Sequence, residues 1–169
     1  MPKSKAVFDA IAALFLKERT EDLLRFAKTS YSFEEWCNWE AFSACDRQRK
    51  WRTHPKWAYS SLGQPSKNLA DLLVEDRRGG GGVVVEVGLL HDHTQDKWRR
   101  KLDADALKLR QLDGSGLKRL QLIVLVTADE QGATSETWKT WLELCCWSRD
   151  TKMYAEVSTE NGCVAVKGL

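Results

Sequence analysis

The chain has 169 residues, with 26 Lys and Arg against 24 Asp and Glu, a formal net charge of +2, 43% hydrophobic residues and 30% charged ones. That balance suits one globular domain with a sizeable core and excludes a globally polyanion-seeking protein, so any nucleic-acid affinity must come from a local patch. No apolar run approaches the roughly 20 residues that span a bilayer. Residues 6–16 are the nearest thing to a signal segment, but Asp9 interrupts them and Lys17, Glu18 and Arg19 follow where a small-residue cleavage site would stand. A cytoplasmic location is therefore expected.

Residues 5–17 place Val7, Ala10, Ile11, Leu14 and Phe15 at helical spacing, and Thr20 is positioned to cap a second short helix reaching Lys28. These make an N-terminal helical extension over residues 1–30, a packing appendage or dimerisation element, ahead of a core over residues 31–169 of the same domain. Ser32 followed by Glu35 is a capping-box pattern opening a helix to about Cys45, whose apolar stripe is Phe33, Trp36, Cys37, Ala41 and Ala44. Glu40 lies in or beside that stripe, either facing inward or snorkelling to the rim.

Residues 47–59 interleave Arg47, Arg49, Lys50, Arg52 and Lys56 with Trp51, Trp57 and Tyr59. Cations that neutralise phosphates beside aromatic faces that stack bases make this the best local candidate for nucleic-acid contact; the alternative is a solvated basic loop anchored by its aromatics. The eight Trp are spread along the chain and are assigned mainly to packing. Five cysteines, Cys37, Cys45, Cys145, Cys146 and Cys163, lack the paired spacing of zinc sites and are read as reduced packing residues.

Residues 69–74 read as a short strand carrying Asp71, although periodicity does not separate it from a helical turn. A glycine-rich hairpin connection over residues 77–82 leads to residues 83–90, apolar on both faces and therefore a central, doubly covered strand. Glu86 within it is a buried carboxylate that requires a cation, a hydrogen-bond donor or a proton. Antiparallel pairing can bring Asp71 and Glu86 onto one face, where a divalent ion with hard oxygen ligands would relieve their repulsion. His91 and His93 flank Asp92 as a two-ligand pattern with no third partner in sequence, and are read as a polar loop.

Residues 94–112 form a helix with Trp98, Leu102, Ala106, Leu109 and Leu112 inward, and Lys97, Lys101 and Lys108 on a neighbouring flank, solvated or reaching back over the sheet. A turn at residues 113–116 precedes a second buried strand over residues 120–127, parallel to the first. Ser135 caps a helix to about Trp147, with Trp138, Trp141, Leu142 and Cys145 inward, and residues 152–158 and 163–166 are terminal strands around the turn Glu160, Asn161, Gly162.

The order of helix with Glu40, strand with Asp71, strand with Glu86, lysine-bearing helix and strand resembles the PD-(D/E)XK nuclease superfamily over residues 34–127. That family carries an Asp on one strand and an acidic-x-Lys triplet on the next, often with a Glu from the preceding helix. Here Asp71 matches the Asp, Glu86 the acidic residue and Glu40 the helix Glu, while Gly88 stands in the place of the lysine. The resemblance implies an α/β, restriction-endonuclease-like mixed sheet flanked by helices. It implies Mg2+ or Mn2+ held by Asp71, Glu86 and Glu40, and hydrolysis of phosphodiester bonds in DNA or RNA. Lys101 or Lys97, and less readily Lys108, would replace the missing lysine. Members of this type are often dimers, so a homodimer is compatible; no membrane partner is implied. Two other readings stand beside it: an inactive homologue serving as a nucleic-acid-binding or protein-interaction module, and an unrelated α/β interaction protein whose Glu86 is satisfied by arginine or hydrogen bonds.

Overall fold

The computed structural model describes residues 2–62, 67–94, 98–112, 116–129, 131, 134–144 and 153–169. Lys97, most of the turn at residues 113–116, Cys145, Cys146 and Trp147 lie outside the described residues. Three helices open the chain: α1 (Ser4–Glu18), α2 (Thr20–Ala27) and α3 (Glu34–Asp46). Strands β1 (Trp51–Ala58), β2 (Leu69–Asp76) and β3 (Gly82–His91) follow, with a single 3-10 turn, Tyr59–Leu62, between the first two. Then come α4 (Trp98–Arg110), β4 (Lys118–Thr127), α5 (Glu136–Leu144), β5 (Tyr154–Thr159) and β6 (Gly162–Gly168).

The strands make one mixed sheet in the order β1-β2-β3-β4-β6-β5. Only β3 and β4 are parallel, as a crossover helix of this length requires; the other pairs are antiparallel. Every residue of β3 is buried because both faces are covered. On one face Val83, Val85, Val87 and Leu89 meet Val7, Ile11 and Phe15 of α1, Leu23 of α2 and Cys37 and Ala41 of α3. On the other, Val84 packs with Tyr59 and Leu109, and Leu90 with Leu102 and Trp138. The first two helices thus contribute directly to the main core. Cys37, Cys45 and Cys163 are buried free thiols. No helix among the described residues is long and apolar enough to cross a membrane.

Three local expectations change. The basic aromatic segment contains an edge strand, with Trp51 opposite Asp76 and Ala58 opposite Leu69, and an edge is where Pro55 costs no ladder bond. The capping box does not form: α3 starts at Glu34 with no side-chain cap, since Glu34 and Glu35 are engaged elsewhere. Thr20 likewise does not cap α2; its hydroxyl donates back to the Phe15 and Leu16 carbonyls. Ser135 does cap α5, accepting from the Trp138 N–H at 3.1 Å.

Position 88 faces Leu102 of α4. A Cβ there would stand 2.5 Å from Leu102 Cδ2, inside contact distance. Glycine therefore makes room for the Leu102 methyl where α4 packs on β3. Gly88→Ala is expected to cost about 1–3 kcal/mol of stability in urea unfolding. The cost should shrink when Leu102→Ala is already present; an equal cost in both backgrounds would show that the two residues are not in contact.

Candidate functional site

Two carboxylates on neighbouring strands organise the site. The last paired residues between β2 and β3 are Leu72 and Val85, so continuing the register sets Asp71 across from Glu86 just where the ladder stops. Asp71 occupies the gap itself: its Oδ2 accepts the Val87 N–H at 2.9 Å, replacing a ladder bond, and its Oδ1 accepts from Asn38 Nδ2 of α3 at 3.1 Å.

Glu86 is 2% exposed. Tyr59 donates its hydroxyl to Oε1 at 2.6 Å, and Lys108 Nζ stands 3.5 Å from Oε2. Burial pushes the Glu86 carboxyl up to about 7, with Asp71 and Asp105 adding repulsion, against the opposing pull of Tyr59 and Lys108. The Tyr59 hydroxyl is pushed up in turn, by burial and by the carboxylate it faces.

Three ammonium groups from two elements surround the pair. Lys108 also bonds Asp105 Oδ1 at 2.5 Å. Lys101 Nζ lies 2.9 Å from Glu34 Oε1, 3.4 Å from Asp105 Oδ2 and 3.4 Å from the Val87 carbonyl oxygen. Burial opposes the charge on Lys101, but the Glu34 hydrogen bond and the nearby carboxylates outweigh it and raise its pKa. Lys56 sits on β1 with φ of 52°, a left-handed conformation uncommon for a side-chain-bearing residue, and its Nζ reaches Asp71 Oδ1 at 3.2 Å and Glu35 Oε2 at 3.0 Å.

The residues named from sequence divide clearly. Asp71, Glu86, Lys101 and Lys108 are brought together. Glu40 is not: its carboxylate is held by Arg19 Nε at 2.9 Å, and α3 serves the site through Glu34 and Glu35 instead. Lys97 lies outside the described residues. Of the nucleic-acid candidates, Arg49, Lys50 and Arg52 are exposed and Trp51 is half-buried along the β1 edge. Arg47 is exposed and paired with Glu18, while Lys56 belongs to the site. Glu34, Asn38 and Asp105 were not singled out in sequence, and Tyr59 was named only as an aromatic of the basic segment, not as a partner of Glu86. Lys101 and Asp105, and Asp105 and Lys108, stand four and three residues apart on one helix, the only local signal that could have found the aspartate.

The donor set fits a hard divalent cation in kind. Asp71, Glu86 and the Val87 carbonyl all offer oxygen, and the buried Asn38 Oδ1 has no hydrogen-bond partner. Counting Glu34, Glu35, Asp71, Glu86 and Asp105 against Lys56, Lys101 and Lys108, the cluster carries two surplus negative charges when Glu86 is ionised and one while Glu86 holds its proton. Among the described residues no three His, Cys, Asp or Glu side chains group as a metal site on their own, so the backbone carbonyl and water would have to complete the shell. A comparison with protein families, curated proteins and solved structures finds no match to this chain.

Because the native state holds a proton on Glu86 to about pH 7 while the unfolded chain releases it near 4.5, this group's stabilising contribution is full below about 4.5. It is lost as pH rises through 7. The wild type should therefore lose on the order of 2 kcal/mol between about pH 5 and pH 8 from this group. Glu86→Gln should flatten that slope in chemical denaturation; an unchanged slope would place the titration elsewhere.

Proposed function

We propose that this chain is a metal-dependent phosphodiesterase of the PD-(D/E)XK type, acting on DNA or RNA, with its basic group supplied by α4. The observation that carries the reading is the arrangement at Val87: Asp71 on its N–H, Lys101 on its carbonyl and Glu86 immediately before it, at the point where β2 and β3 part. Asp71, Glu86 and the Val87 carbonyl would hold Mg2+ or Mn2+. The bound ion would supply Lewis-acid activation of water and neutralisation of phosphate charge.

The chain's own groups have distinct tasks in this reading. Lys101, fixed by Glu34 and Asp105, places a permanent positive charge at the edge of the site, where charge grows on the phosphate in the transition state. It would take the part of the lysine that Gly88 replaces on β3, and beside it Gly88 makes room for the Leu102 methyl. Tyr59 and Lys108 hold Glu86 in one orientation. The exposed cations Arg49 and Lys50 just before β1, and Arg52 on it, would contact backbone phosphates, with Trp51 beside them.

A second reading has its own observation. Each of the three metal-facing oxygens, on Asp71, Glu86 and Val87, already has an ammonium beside it, from Lys56, Lys108 and Lys101 respectively. A cluster so compensated could serve as the structural heart of an inactive homologue that binds nucleic acid or protein.

Incubation of labelled single- and double-stranded DNA and RNA with Mg2+ or Mn2+ separates the two. The phosphodiesterase reading expects metal-dependent cleavage that falls by a factor of about 100 or more in Asp71→Asn, Glu86→Gln and Lys101→Met, with Glu40→Gln close to wild type. Metal affinity unchanged in Asp71→Asn and Glu86→Gln, together with no cleavage of any substrate, would overturn it.

A further inference from the structure

Beside the site, the residues leading into α3, the end of β3, His93, Thr94 and the start of α4 line a half-open pocket of about 430 Å3. Its size lies within the range of roughly 300–1,000 Å3 common for small-ligand sites. Glu34 and Lys101 belong to its wall, so it opens directly onto the carboxylate and lysine cluster. The rest of the lining mixes the Trp98 indole, the imidazoles of His91 and His93, the Ser32 and Thr94 hydroxyls and the apolar Leu89.

We infer that this pocket takes a single nucleobase, turned out of its strand next to the phosphate that Lys101 faces; the inference rests on the phosphodiesterase reading. The chemistry of the wall suits a flat heteroaromatic ring with donors and acceptors on its rim. Trp98 supplies a π-face, and imidazoles and hydroxyls can each donate or accept. A purely apolar ligand would leave these groups unpaired, and a bare phosphate would leave the indole and Leu89 without use.

The wall is also built in advance. Thr94 Oγ1 accepts the His91 N–H at 2.8 Å, the Thr94 N–H returns to the His91 carbonyl at 2.8 Å, and Asp92 Oδ2 accepts the Ala128 N–H at 2.7 Å, tying the turn to the end of β4. The His91 ring lies 5.0 Å from that of Phe33. His91 Nδ1 accepts the His93 backbone N–H at 3.4 Å, which in the neutral ring leaves the proton on Nε2. Unstacking a base from a strand is costly, and a preformed slot with an aromatic side is the kind of site that offsets it.

The test is titration calorimetry of the full chain with adenosine and uridine 5′-monophosphates and their deoxy forms, against ribose 5-phosphate and inorganic phosphate. Nucleotides should bind at least about tenfold tighter than ribose 5-phosphate, an increment lost in Trp98→Ala and kept in Trp98→Phe. Since Trp98 also touches the core, Ser32→Trp provides the second variant: it attaches at an exposed position and fills the pocket, and should abolish the increment without changing the unfolding midpoint. Equal binding of ribose 5-phosphate and nucleotides, or an increment that survives in Ser32→Trp, overturns the base pocket. A nucleotide increment in a protein that cleaves nothing supports the pocket and counts against the phosphodiesterase; cleavage without the increment does the reverse.

Discussion

A carboxylate buried in the most enclosed strand of the sheet is the constraint around which this protein is arranged. Glu86 is the one acidic residue in β3, whose ten positions are all buried. An unpaired charge there would cost several kcal/mol, and the surroundings answer it in two ways. Part of the answer is a proton, because burial holds the carboxyl near neutrality in the pH range where cells work. The rest comes from donors placed at short range. The 3-10 turn after β1 presents the Tyr59 hydroxyl, and α4 presents Lys108.

From that requirement the rest of the cluster follows as a chain of compensations. Lys108 needs Asp105, Asp105 draws in Lys101, and Lys101 reaches across to Glu34 at the start of α3. Asp71 closes the gap between β2 and β3, and Lys56 adopts a left-handed backbone to meet it. Lysines suit this task because each is a compact point charge on a flexible stem that can serve two carboxylates at once. The arrangement is therefore both a structural tie among α3, β1, β2, β3 and α4 and a concentration of fixed charge facing a pocket. With Glu86 ionised the carboxylates outnumber the ammonium groups, and that surplus among hard oxygen donors is what the proposed divalent cation would offset.

Much of this was legible in the chain. The unbroken apolar run around Glu86, the hairpin glycines and the order of elements were enough to expect a parallel β3 and β4 pair, an antiparallel β2 and the proximity of Asp71 to Glu86. The mixed sheet flanked by helices was expected as well. What was not legible depends on distant partners. β1 hides because Arg52, His54 and Lys56 within it, and Arg49 and Lys50 just before it, make the segment read as polar, and an edge strand needs no apolar alternation on its open side. Ser32 and Glu35 fit a capping box, but Glu35 has a better partner in Lys56, a residue no local pattern connects to it. Glu40 has the spacing of the helix carboxylate in the nuclease pattern it resembles, yet Arg19, at the junction of α1 and α2, claims it. Tyr59 was read as an aromatic of the basic segment, and only the turn after β1 sets its hydroxyl against Glu86.

The central claim is that the Asp71 and Glu86 carboxylates and the Val87 carbonyl form a cation site where β2 and β3 separate. The most direct measurement is the anomalous scattering of crystals soaked in manganese. The account predicts a peak bounded by these three oxygens, with the ammonium groups of Lys56 and Lys101 displaced from them. Crystals that take up manganese elsewhere while the lysines keep their places on Asp71 and Val87 would contradict it.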